Sequence, residues 1–312
     1  MTLAGPLAVV VAAGLEMLVS EPPVQLHPVA WFGRAVAPFD REWATPGPRT
    51  VGVAVALLFP LVAAAAVGGA VWLADIVHPL AAGALAGLAL FAATSLRMLL
   101  GEARRVNGLV DADPDEARTA LRSLAGRDAT DLSAGEVRSA AVESAAENLA
   151  DGLVAPLLAF AALAPVSLPL AAGAAAWVKA VNTLDSMLGY RSKPVGWASA
   201  RLDDLAMWVP ARLSAVLLAV VAGSVGALGR AREWASEPPS PNSGWPMATL
   251  AALLDVRLEK PGVYVLNPGG VLPTEEAVER GVALVRRAGL LAYVLAGAAA
   301  GAGASTGVLA WS

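Results

Sequence analysis

The sequence contains no cysteine, which excludes disulfide bonds and thiolate metal sites. Cysteine usage therefore gives no information on the redox compartment of the protein. It has only two histidines in 312 residues, so a zinc site built on histidine is not expected. Charged residues make up 15% of the chain, whereas a soluble domain has about 25%. The net charge is −4, and this argues against nucleic acid as a partner.

Aromatic residues are also scarce, and the 57% of hydrophobic residues are mostly alanine, leucine and valine. Alanine and leucine favour helices. Residues 51–100 carry only Asp75 and Arg97 as charges, and residues 288–310 carry none. Such stretches are longer than the roughly 20 apolar residues that cross a bilayer. We therefore predict an all-α, polytopic integral membrane protein.

The apolar segments are predicted at about 3–20, 51–74, 80–100, 152–176, 213–229 and 288–310. The first lacks a basic leader and a clean cleavage site, so we interpret it as a retained helix. The short sequence DIVHP at 75–79 predicts a helical hairpin over 51–100. We expect one membrane-embedded domain over 1–312, with a polar helical insert at about 101–150 and a polar Pro/Gly-rich region at about 230–287.

Lysine and arginine concentrate in four regions, 21–50, 101–150, 177–212 and 230–287, which predicts that all four are cytoplasmic. A single crossing at 152–176 would place 177–212 outside. Pro165 and Pro169 interrupt this run and predict two short half-spans that return to the same side. The segment 213–229 is short for a span and is a candidate re-entrant segment. Irregular backbone at membrane depth needs cover from protein or water, so we expect broken or re-entrant helices around a cytoplasm-facing polar cavity.

A first polar cluster, ESAAENLADG, follows an S-A-G-E capping box at 133–136. At about 100° per residue, Glu143, Glu147 and Asp151 share one helix face, with Asn148 at its flank. Three acids on one face repel one another unless a cation lies opposite. The pattern fits a magnesium site, but spacing alone fits a solvated acidic face somewhat better.

A second cluster, KAVNTLDSMLGYR, follows a nearly featureless apolar run. On a helix, Lys179, Asn182, Thr183 and Ser186 share one side and Asp185 lies beside Asn182. This side is either a polar wall for a ligand or a snorkelling lysine near a helix end at Gly189.

A third cluster, ARLDDLAMWVPARL, places Arg201, Asp204, Trp208 and Arg212 on one helical stripe, although Pro210 should kink or end that helix. Arginine suits two-point contacts with phosphate or carboxylate. The simpler alternative is an ion pair between Arg201 and Asp204, three residues apart.

Two further stretches are less decisive. In SEPPSPNSGWP, Trp245 is either a packing anchor of a structured loop or a stacking surface for a ligand. In LHPVAWFGR, His27 is either an interfacial residue beside Trp31 or a group for proton transfer. The sequence contains no phosphate-binding P-loop, dinucleotide-binding glycine motif or nucleophile elbow.

Taken in order, HPVAWFGR, GRDATDLS, ESAAENLADGLVAPL, KAVNTLDSMLGYR, GWASARLDDLAMWVPARL and SPNSGWPMA followed by VRLEKPGVYVLNP resemble the CbiB/CobD family. These are the adenosylcobinamide-phosphate synthases of cobalamin biosynthesis. The matching pieces run from residue 27 to about 268. The chain departs from the family at Met207, where asparagine is usual, and at Leu149, where threonine is frequent.

The resemblance implies an ATP-dependent amide ligase that joins adenosylcobyric acid to (R)-1-amino-2-propanol or its O-phosphate. It implies ATP and Mg²⁺ as cofactors, a corrinoid substrate, a location in the cell membrane with the active site facing the cytoplasm, and other late cobalamin-assembly enzymes as possible membrane partners. The alternative is a corrinoid-binding scaffold or transporter without ligase chemistry.

On this resemblance we expect Glu147, Asp151 and Asp185 to hold the metal. We expect catalytic roles for Lys179, Asp185, Asp203, Asp204 and His27. The expected substrate-binding residues are Glu143, Asn148, Asn182, Ser186, Tyr190, Arg191, Arg201, Arg212, Asn242 and Trp245.

Overall fold

The computed structural model describes residues 3–19, 25, 27–41, 43, 47–125, 129–190 and 193–306. Its α-helices are α1 (Ala4–Leu18), α2 (Pro28–Val36), α3 (Pro48–Val77), α4 (Pro79–Ala93), α5 (Leu96–Leu109), α6 (Pro114–Ala125), α7 (Ala134–Leu149), α8 (Ala155–Leu163), α9 (Leu168–Leu188), α10 (Trp197–Ala206), α11 (Trp208–Val221), α12 (Gly226–Ala231), α13 (Gly244–Leu254) and α14 (Glu275–Thr306). Short 3₁₀ turns lie at Ala37–Phe39 and Pro194–Gly196, and a π-helical segment lies at Ala150–Val154.

One small hairpin departs from the predicted all-α pattern. Strands β1 (Leu258–Lys260) and β2 (Tyr264–Leu266) pair antiparallel, with Leu258 opposite Leu266. Gly262 lies in the turn between them with a φ of 71°, a conformation that glycine adopts without steric cost. Strands of three residues are too short to show an alternating pattern in the sequence.

Four helical stretches of the described chain are long and apolar enough to cross a membrane, which confirms the prediction of a helical, multi-pass membrane protein. They are Pro48–Val77, Pro79–Leu109, Ala134–Leu163 and Glu275–Ala302. A fifth is added if Pro194–Ala206 and Trp208–Val221 form one broken span. Helices α1 and α13 are apolar but shorter than these.

Three predicted segment boundaries are corrected by the structure. The segment 80–100 is interrupted at Thr94, where α4 ends in an extended residue before α5 begins. The segment 213–229 is not one helix, because α11 ends at Val221 and Gly223 turns the chain with a φ of 64°. The last apolar helix begins at Glu275 rather than at about 288, so its first three turns belong to the region predicted as polar.

The predicted break near Pro165 is confirmed, but its two arms are unequal. Helix α8 ends at Leu163, the side chain of Ser167 caps α9, and α8 packs along α9. The first arm is not a short half-span, because α8 continues α7 through the π-helical segment as one 30-residue stretch. Pro156 lacks a backbone N–H, which leaves the carbonyl one turn earlier without its α-helical donor and favours the wider turn.

Contacts group the chain into two compact units. Unit 1 comprises Met1–Ser95, Ala155–Met207 and Tyr293–Ser312, and unit 2 comprises Leu96–Val154 and Trp208–Ala292. This grouping does not test whether 1–312 is one membrane-embedded domain, which stays a prediction.

Unit 1 is held together by close approaches between small residues. A Cβ on Gly87 of α4 would lie 2.8 Å from the Ala8 carbonyl oxygen of α1, and Gly83 meets Ala4 in the same way. On α3, a Cβ on Gly68 would lie 2.9 Å from the carbonyl oxygen of Pro169 at the start of α9. Small residues at four-residue spacing allow helix backbones to approach closely where hydrophobic burial contributes little.

Unit 2 contains the polar insert as three packed helices, α5, α6 and α7. Val106, Leu121 and Val137, one from each helix, are buried in a common core. The predicted capping box starts α7: the Glu136 carboxylate accepts from the Ser133 N–H at 2.7 Å, and Ser133 Oγ accepts from the Glu136 N–H. Helix α13 and strand β1 also pack on α7.

We predict that Gly87→Ala lowers the thermal stability of the detergent-solubilised protein, because the new methyl group meets backbone atoms of α1. Overpacking of this kind costs about 1–3 kcal/mol. Gly69→Ala is the matched control, since a Cβ there has no atom within 4 Å. Equal melting temperatures for the two variants would contradict the close α1–α4 contact.

Candidate functional site

The second sequence cluster forms the carboxyl-terminal turns of α9 in unit 1. Lys179, Asn182 and Asp185 are half-buried there and Ser186 is exposed. The Thr183 hydroxyl donates to the Lys179 carbonyl at 2.7 Å, and the Ser186 hydroxyl donates to the Asn182 carbonyl at 2.9 Å. Both hydroxyls are therefore used within the helix, and the polar wall consists mainly of the lysine, the amide and the carboxylate.

The loop after α9 folds tightly over the end of that helix. A Cβ on Gly189 would collide with Asp185 Oδ1, and a Cβ on Gly196 would collide with the Leu188 carbonyl oxygen. Glycine is needed at both positions for space. Tyr190 is exposed, and the Lys193 ammonium lies 4.8 Å from the centre of its ring. Arg191, expected to bind substrate, lies outside the described residues.

We call Asp185, Asp203, Asp204 and Arg201 the carboxylate site. Helices α9 and α10 pack together in unit 1, and Asp204 of α10 lies close enough to Asp185 of α9 for their charges to interact. Burial raises the pKa of Asp185 to about 6, and the negative charge of Asp204 adds to the rise. The Arg201 guanidinium is 3.3 Å from the Asp204 carboxylate, so the expected ion pair is present. Asp203 is half-buried on the same helix.

Three expected substrate-binding residues meet in unit 2, in what we call the tryptophan–arginine cluster: Arg212, Asn242, Trp245 and Trp208. The Arg212 guanidinium donates to Asn242 Oδ1 at 2.6 Å and to the Pro241 carbonyl at 3.1 Å. It lies 4.6 Å from the Trp208 ring and 5.4 Å from the Trp245 ring, within cation–π range.

Of the five N–H donors of Arg212, three are used by bonds within unit 2, including one to the Trp208 carbonyl at 2.9 Å. Trp208 is 55% exposed although it is a large aromatic residue. The cluster therefore offers a positive charge and an accessible aromatic face together. The sequence placed Trp208 on the same helical stripe as Arg212, but Trp208 was not among the expected site residues. Its position four residues before Arg212 was the available signal, because side chains four residues apart are neighbours on a helix.

Glu143 lies in a different environment from the other acids of the first cluster. It is only 1% exposed, and its two oxygens accept from the Ser139 hydroxyl at 2.8 Å and the Tyr264 hydroxyl at 2.7 Å. Ser139 Oγ also accepts from the Glu259 N–H at 2.8 Å. These bonds tie the β-hairpin to α7. The expected substrate contact of Glu143 stays a prediction.

Glu147 and Asp151 flank the start of the π-helical segment, and both are half-buried. The segment widens the helix there, so the sequence estimate of 100° per residue does not extend to Asp151. The Asn148 amide donates back to the Ser144 carbonyl at 3.0 Å, which leaves its oxygen for another partner. π-helical segments often occur at functional sites.

Among the described residues, no group of three or more acidic or histidine side chains is arranged to hold a metal ion. Mg²⁺ is commonly bound through one or two carboxylates together with substrate phosphates. The Glu147 and Asp151 carboxylates of unit 2 supply the hard oxygen atoms that this ion prefers, so their chemistry fits it. The expected metal contact of Asp185, a residue of unit 1, stays a prediction.

His27 caps the amino terminus of α2. Its Nδ1 accepts from the Val29 N–H at 3.2 Å, and His78 caps α4 in the same way through the Leu80 N–H. Each histidine precedes a proline in the first helical position. The cap requires the lone pair on Nδ1, so the ring proton of His27 lies on Nε2.

The two departures from the family pattern both fill apolar interior positions. Met207 is 1% exposed and packs in unit 1 with Ala155 and Val178. Leu149 is fully buried in unit 2. Because both positions are buried, an apolar side chain suits each of them.

We predict that Asp185→Asn changes the pH dependence of stability. Between about pH 4 and pH 6 the folded state retains the Asp185 proton while the unfolded state releases it, so the free energy of unfolding falls as pH rises through this window. The loss is on the order of 2–3 kcal/mol by pH 7. The melting temperature of the variant should exceed that of the parent progressively from pH 4 to pH 6.5.

Asp75→Asn, at an exposed residue of α3, is the control and should leave the pH profile unchanged. Parallel profiles for the parent and Asp185→Asn would disprove the raised pKa.

We predict that Tyr264→Phe destabilises the protein by about 1.5–3 kcal/mol, because the buried Glu143 loses a hydrogen-bond donor. Tyr190→Phe alters an exposed ring and should have little effect on the melting temperature. A melting temperature for Tyr264→Phe that matches this control would show that the hydroxyl does not support Glu143.

Comparison with known proteins agrees with the resemblance seen in the sequence. The family described as CobD/Cbib protein matches residues 9–288. A probable cobalamin biosynthesis protein CobD from Methanothrix thermoacetophila is 36% identical over 93% of this chain and 95% of its own length. The cobalamin biosynthesis protein CobD of Geobacter metallireducens is 40% identical over 86% of this chain and 85% of its own.

The cobalamin biosynthesis protein CobD of Mycobacterium tuberculosis is 42% identical over 78% of this chain and 77% of its own. No solved structure matches the chain. The matched residues include the carboxylate site, the π-helical segment and the tryptophan–arginine cluster. The chain therefore belongs to the CobD/CbiB family of cobalamin biosynthesis.

Proposed function

We propose that this protein is an ATP-dependent amide ligase that joins adenosylcobyric acid to (R)-1-amino-2-propanol or its O-phosphate. The product is adenosylcobinamide or its phosphate. The single observation that supports this reaction is the match of residues 9–288 to the CobD/CbiB family. Within the chain, the Asp185 carboxyl, buried beside Asp204 with its pKa raised to about 6, is the candidate base. A base is most effective when its pKa lies near the operating pH.

The reaction has two steps. A propionate carboxylate of the corrinoid takes the γ-phosphoryl group of ATP, which gives an acyl phosphate and ADP. The amine nitrogen then attacks the acyl carbon, the C–N bond forms and inorganic phosphate leaves. The amine must be neutral to attack, so Asp185 accepts its proton, and Asp203 and Asp204 hold the ammonium form before transfer.

Cationic side chains would bind the phosphate groups. Lys179 and Arg201 are the unit 1 candidates, Arg212 is the unit 2 candidate, and Arg191 follows α9 in sequence. Asn182, Ser186 and Tyr190 would orient substrate at the carboxylate site, and Asn148 at the π-helical segment. His27, whose Nδ1 caps α2, would act in proton transfer through Nε2.

Glu147 and Asp151 would hold Mg²⁺, which when bound neutralises phosphate charge. In the tryptophan–arginine cluster, Trp208 and Trp245 offer aromatic faces to the large corrinoid ring, and Asn242 fixes Arg212 between them. Stacking and a held guanidinium would orient a substrate with both a flat face and negative groups.

We place the protein in the cell membrane with these residues on the cytoplasmic side. The supporting observations are the membrane-length helices and the confinement of basic residues to four polar regions. ATP is available on that side. Other membrane enzymes of late cobalamin assembly are candidate partners by analogy within the pathway.

We expect the purified protein, given ATP, Mg²⁺, adenosylcobyric acid and either amine, to form an amide product detectable by mass. Asp185→Asn should lower kcat by about 100-fold or more, the usual contribution of a positioned base, and should remove the limb of the pH–rate profile near pH 6. Glu147→Gln should raise the Mg²⁺ concentration needed for activity.

Asp75→Asn is the control for both variants, because its exposed carboxylate lies outside the sites described. Full activity of Asp185→Asn with an unchanged pH profile would remove Asp185 from the mechanism. Binding of adenosylcobyric acid without product from either amine would favour a corrinoid-binding scaffold or transporter.

A further inference from the structure

Arg212 keeps an open edge in the tryptophan–arginine cluster of unit 2. Its Nη1 atom donates to the Trp208 carbonyl and to Asn242 Oδ1, and its Nη2 atom donates to the Pro241 carbonyl. These bonds use three of the five N–H groups of a guanidinium. Within the described chain, the N–H of Nε and one N–H of Nη2 form no hydrogen bond. Nε and Nη2 are the two nitrogen atoms on one edge of the guanidinium plane.

The positive charge of Arg212 is not balanced by an acid. Its three acceptors are neutral, because two are backbone carbonyl oxygens and the third is the side-chain amide oxygen of Asn242. No carboxylate in the part of the chain that the structure describes forms an ion pair with it. Arg212 is half-buried, so water screens its charge only in part. A half-buried cation without an opposite charge favours the binding of an anion.

The loop that contacts Arg212 is fixed by its own contacts. A Cβ on Gly244 would lie 2.0 Å from the Ala235 carbonyl oxygen, so the two ends of the loop touch. Within the loop, Ser240 Oγ accepts from the Asn242 N–H at 3.2 Å. The guanidinium is therefore oriented before a ligand arrives, and this lowers the entropy cost of binding.

The shape of the cluster indicates what kind of anion fits the open edge. Two neighbouring N–H donors on one guanidinium edge match the two oxygen atoms of a carboxylate. The Trp208 and Trp245 rings lie 4.6 Å and 5.4 Å from the guanidinium carbon, and Trp208 is 55% exposed. A large, flat ligand that carries a carboxylate can contact both the edge and the exposed ring, whereas a small free anion can contact only the edge.

We propose that the open edge of Arg212 binds the reacting carboxylate of the corrinoid and that Arg212 distinguishes this acid from the corresponding amide. The identity of the ligand rests on the proposed function. In adenosylcobyric acid the reacting carboxylate is the ionised side chain among neutral carboxamides. An amide at that position lacks the negative charge, and its NH₂ group faces a donor where the second carboxylate oxygen would accept. A site built to hydrogen-bond one group discriminates strongly against an analogue that leaves its donors unpaired.

The same contact changes in strength along the proposed reaction. When the carboxylate takes the γ-phosphoryl group, the acyl phosphate remains anionic, so Arg212 meets a phosphate group at that stage. When the amine displaces inorganic phosphate, the new amide is neutral and Arg212 loses its ionic partner. The product is therefore held less tightly than the substrate, which favours its release.

The test is equilibrium dialysis of the full-length protein in detergent, without ATP or amine. The ligands are adenosylcobyric acid and the primary amide of its reacting side chain, and bound corrinoid is measured by its absorbance. The parent should bind the acid about 10- to 100-fold more tightly than the amide, the effect of hydrogen bonds to a charged group. Arg212→Met should bind the two equally. Arg212→Lys keeps the charge but loses the paired donors, so it should show an intermediate preference.

Arg230→Met is the matched control and should keep the full preference for the acid. Arg230 is also an arginine of unit 2 that donates to a neutral carbonyl, that of Ala252 at 2.7 Å, but it lies outside the tryptophan–arginine cluster. Elution as a single symmetric peak in size exclusion verifies the fold of each variant.

Three results would overturn the proposal. The first is equal affinity of the parent for the acid and the amide. The second is competition between ATP and the acid in the parent, which would assign the open edge to the nucleotide. The third is an undiminished preference for the acid in Arg212→Met. The first two results come from the parent alone, so they test the proposal even where a variant does not fold.

The outcome is separable from that of the ligase proposal, because the readout is binding and not product. Amide formation by a protein that binds acid and amide equally would leave the ligase proposal standing and remove this role of Arg212. A strong preference for the acid without product from either amine would have the opposite meaning.

Discussion

The architecture depends on how closely helix backbones can approach when hydrophobic burial contributes little to their association. The chain meets this constraint with alanine and glycine. In unit 1, Gly87 admits the backbone of α1, and Gly68 admits the start of α9. Small residues lower the cost of packing helices in lipid because backbone atoms then make the van der Waals contacts directly. The small side chains have a second effect: together with residues of α2, α4 and α9, alanines of α3 line an apolar cavity in unit 1.

Three of the candidate polar groups lie where regular helices stop or change pitch. The carboxylate site joins the last turn of α9 to the last turn of α10, and the Glu147–Asp151 pair lies at the π-helical segment. The tryptophan–arginine cluster joins the first turns of α11 to the loop before α13. Helix ends leave backbone groups unsatisfied, so polar side chains are tolerated there at lower cost than within a span.

Much of the helical pattern was predictable, because a long apolar run can form few structures other than a membrane-length helix. The α3–α4 hairpin and the reversal after Leu163 followed from charge spacing and from proline. The interruption at Thr94 was not predictable, because it lies in a mostly apolar run and its hydroxyl accepts from Tyr293, which is remote in sequence. The β-hairpin was missed for a similar reason, since its anchor is the contact between Tyr264 and Glu143, 121 residues apart.

The residues of the candidate sites could be selected from the sequence by type, but which of them contact one another was harder to predict. Arg212, Asn242 and Trp245 were selected separately and meet in one cluster. Glu143 was grouped with Glu147 by helical spacing, yet it turns to the β-hairpin, because a buried carboxylate lies where donors are available. Spacing along one helix cannot indicate which neighbouring element supplies those donors.

The absence of a side chain at Gly189 has a consequence for sequence variation. The space that a Cβ would occupy is filled by the Asp185 carboxylate, so positions 185 and 189 are not free to vary independently. A relative that carries any other residue at 189 must shorten or redirect the acid at 185, and it must also shift the carbonyl oxygen of residue 185, which would lie 2.7 Å from the new Cβ. Divergence at this pair should therefore be concerted, and glycine at 189 should mark the chains that keep the buried acid.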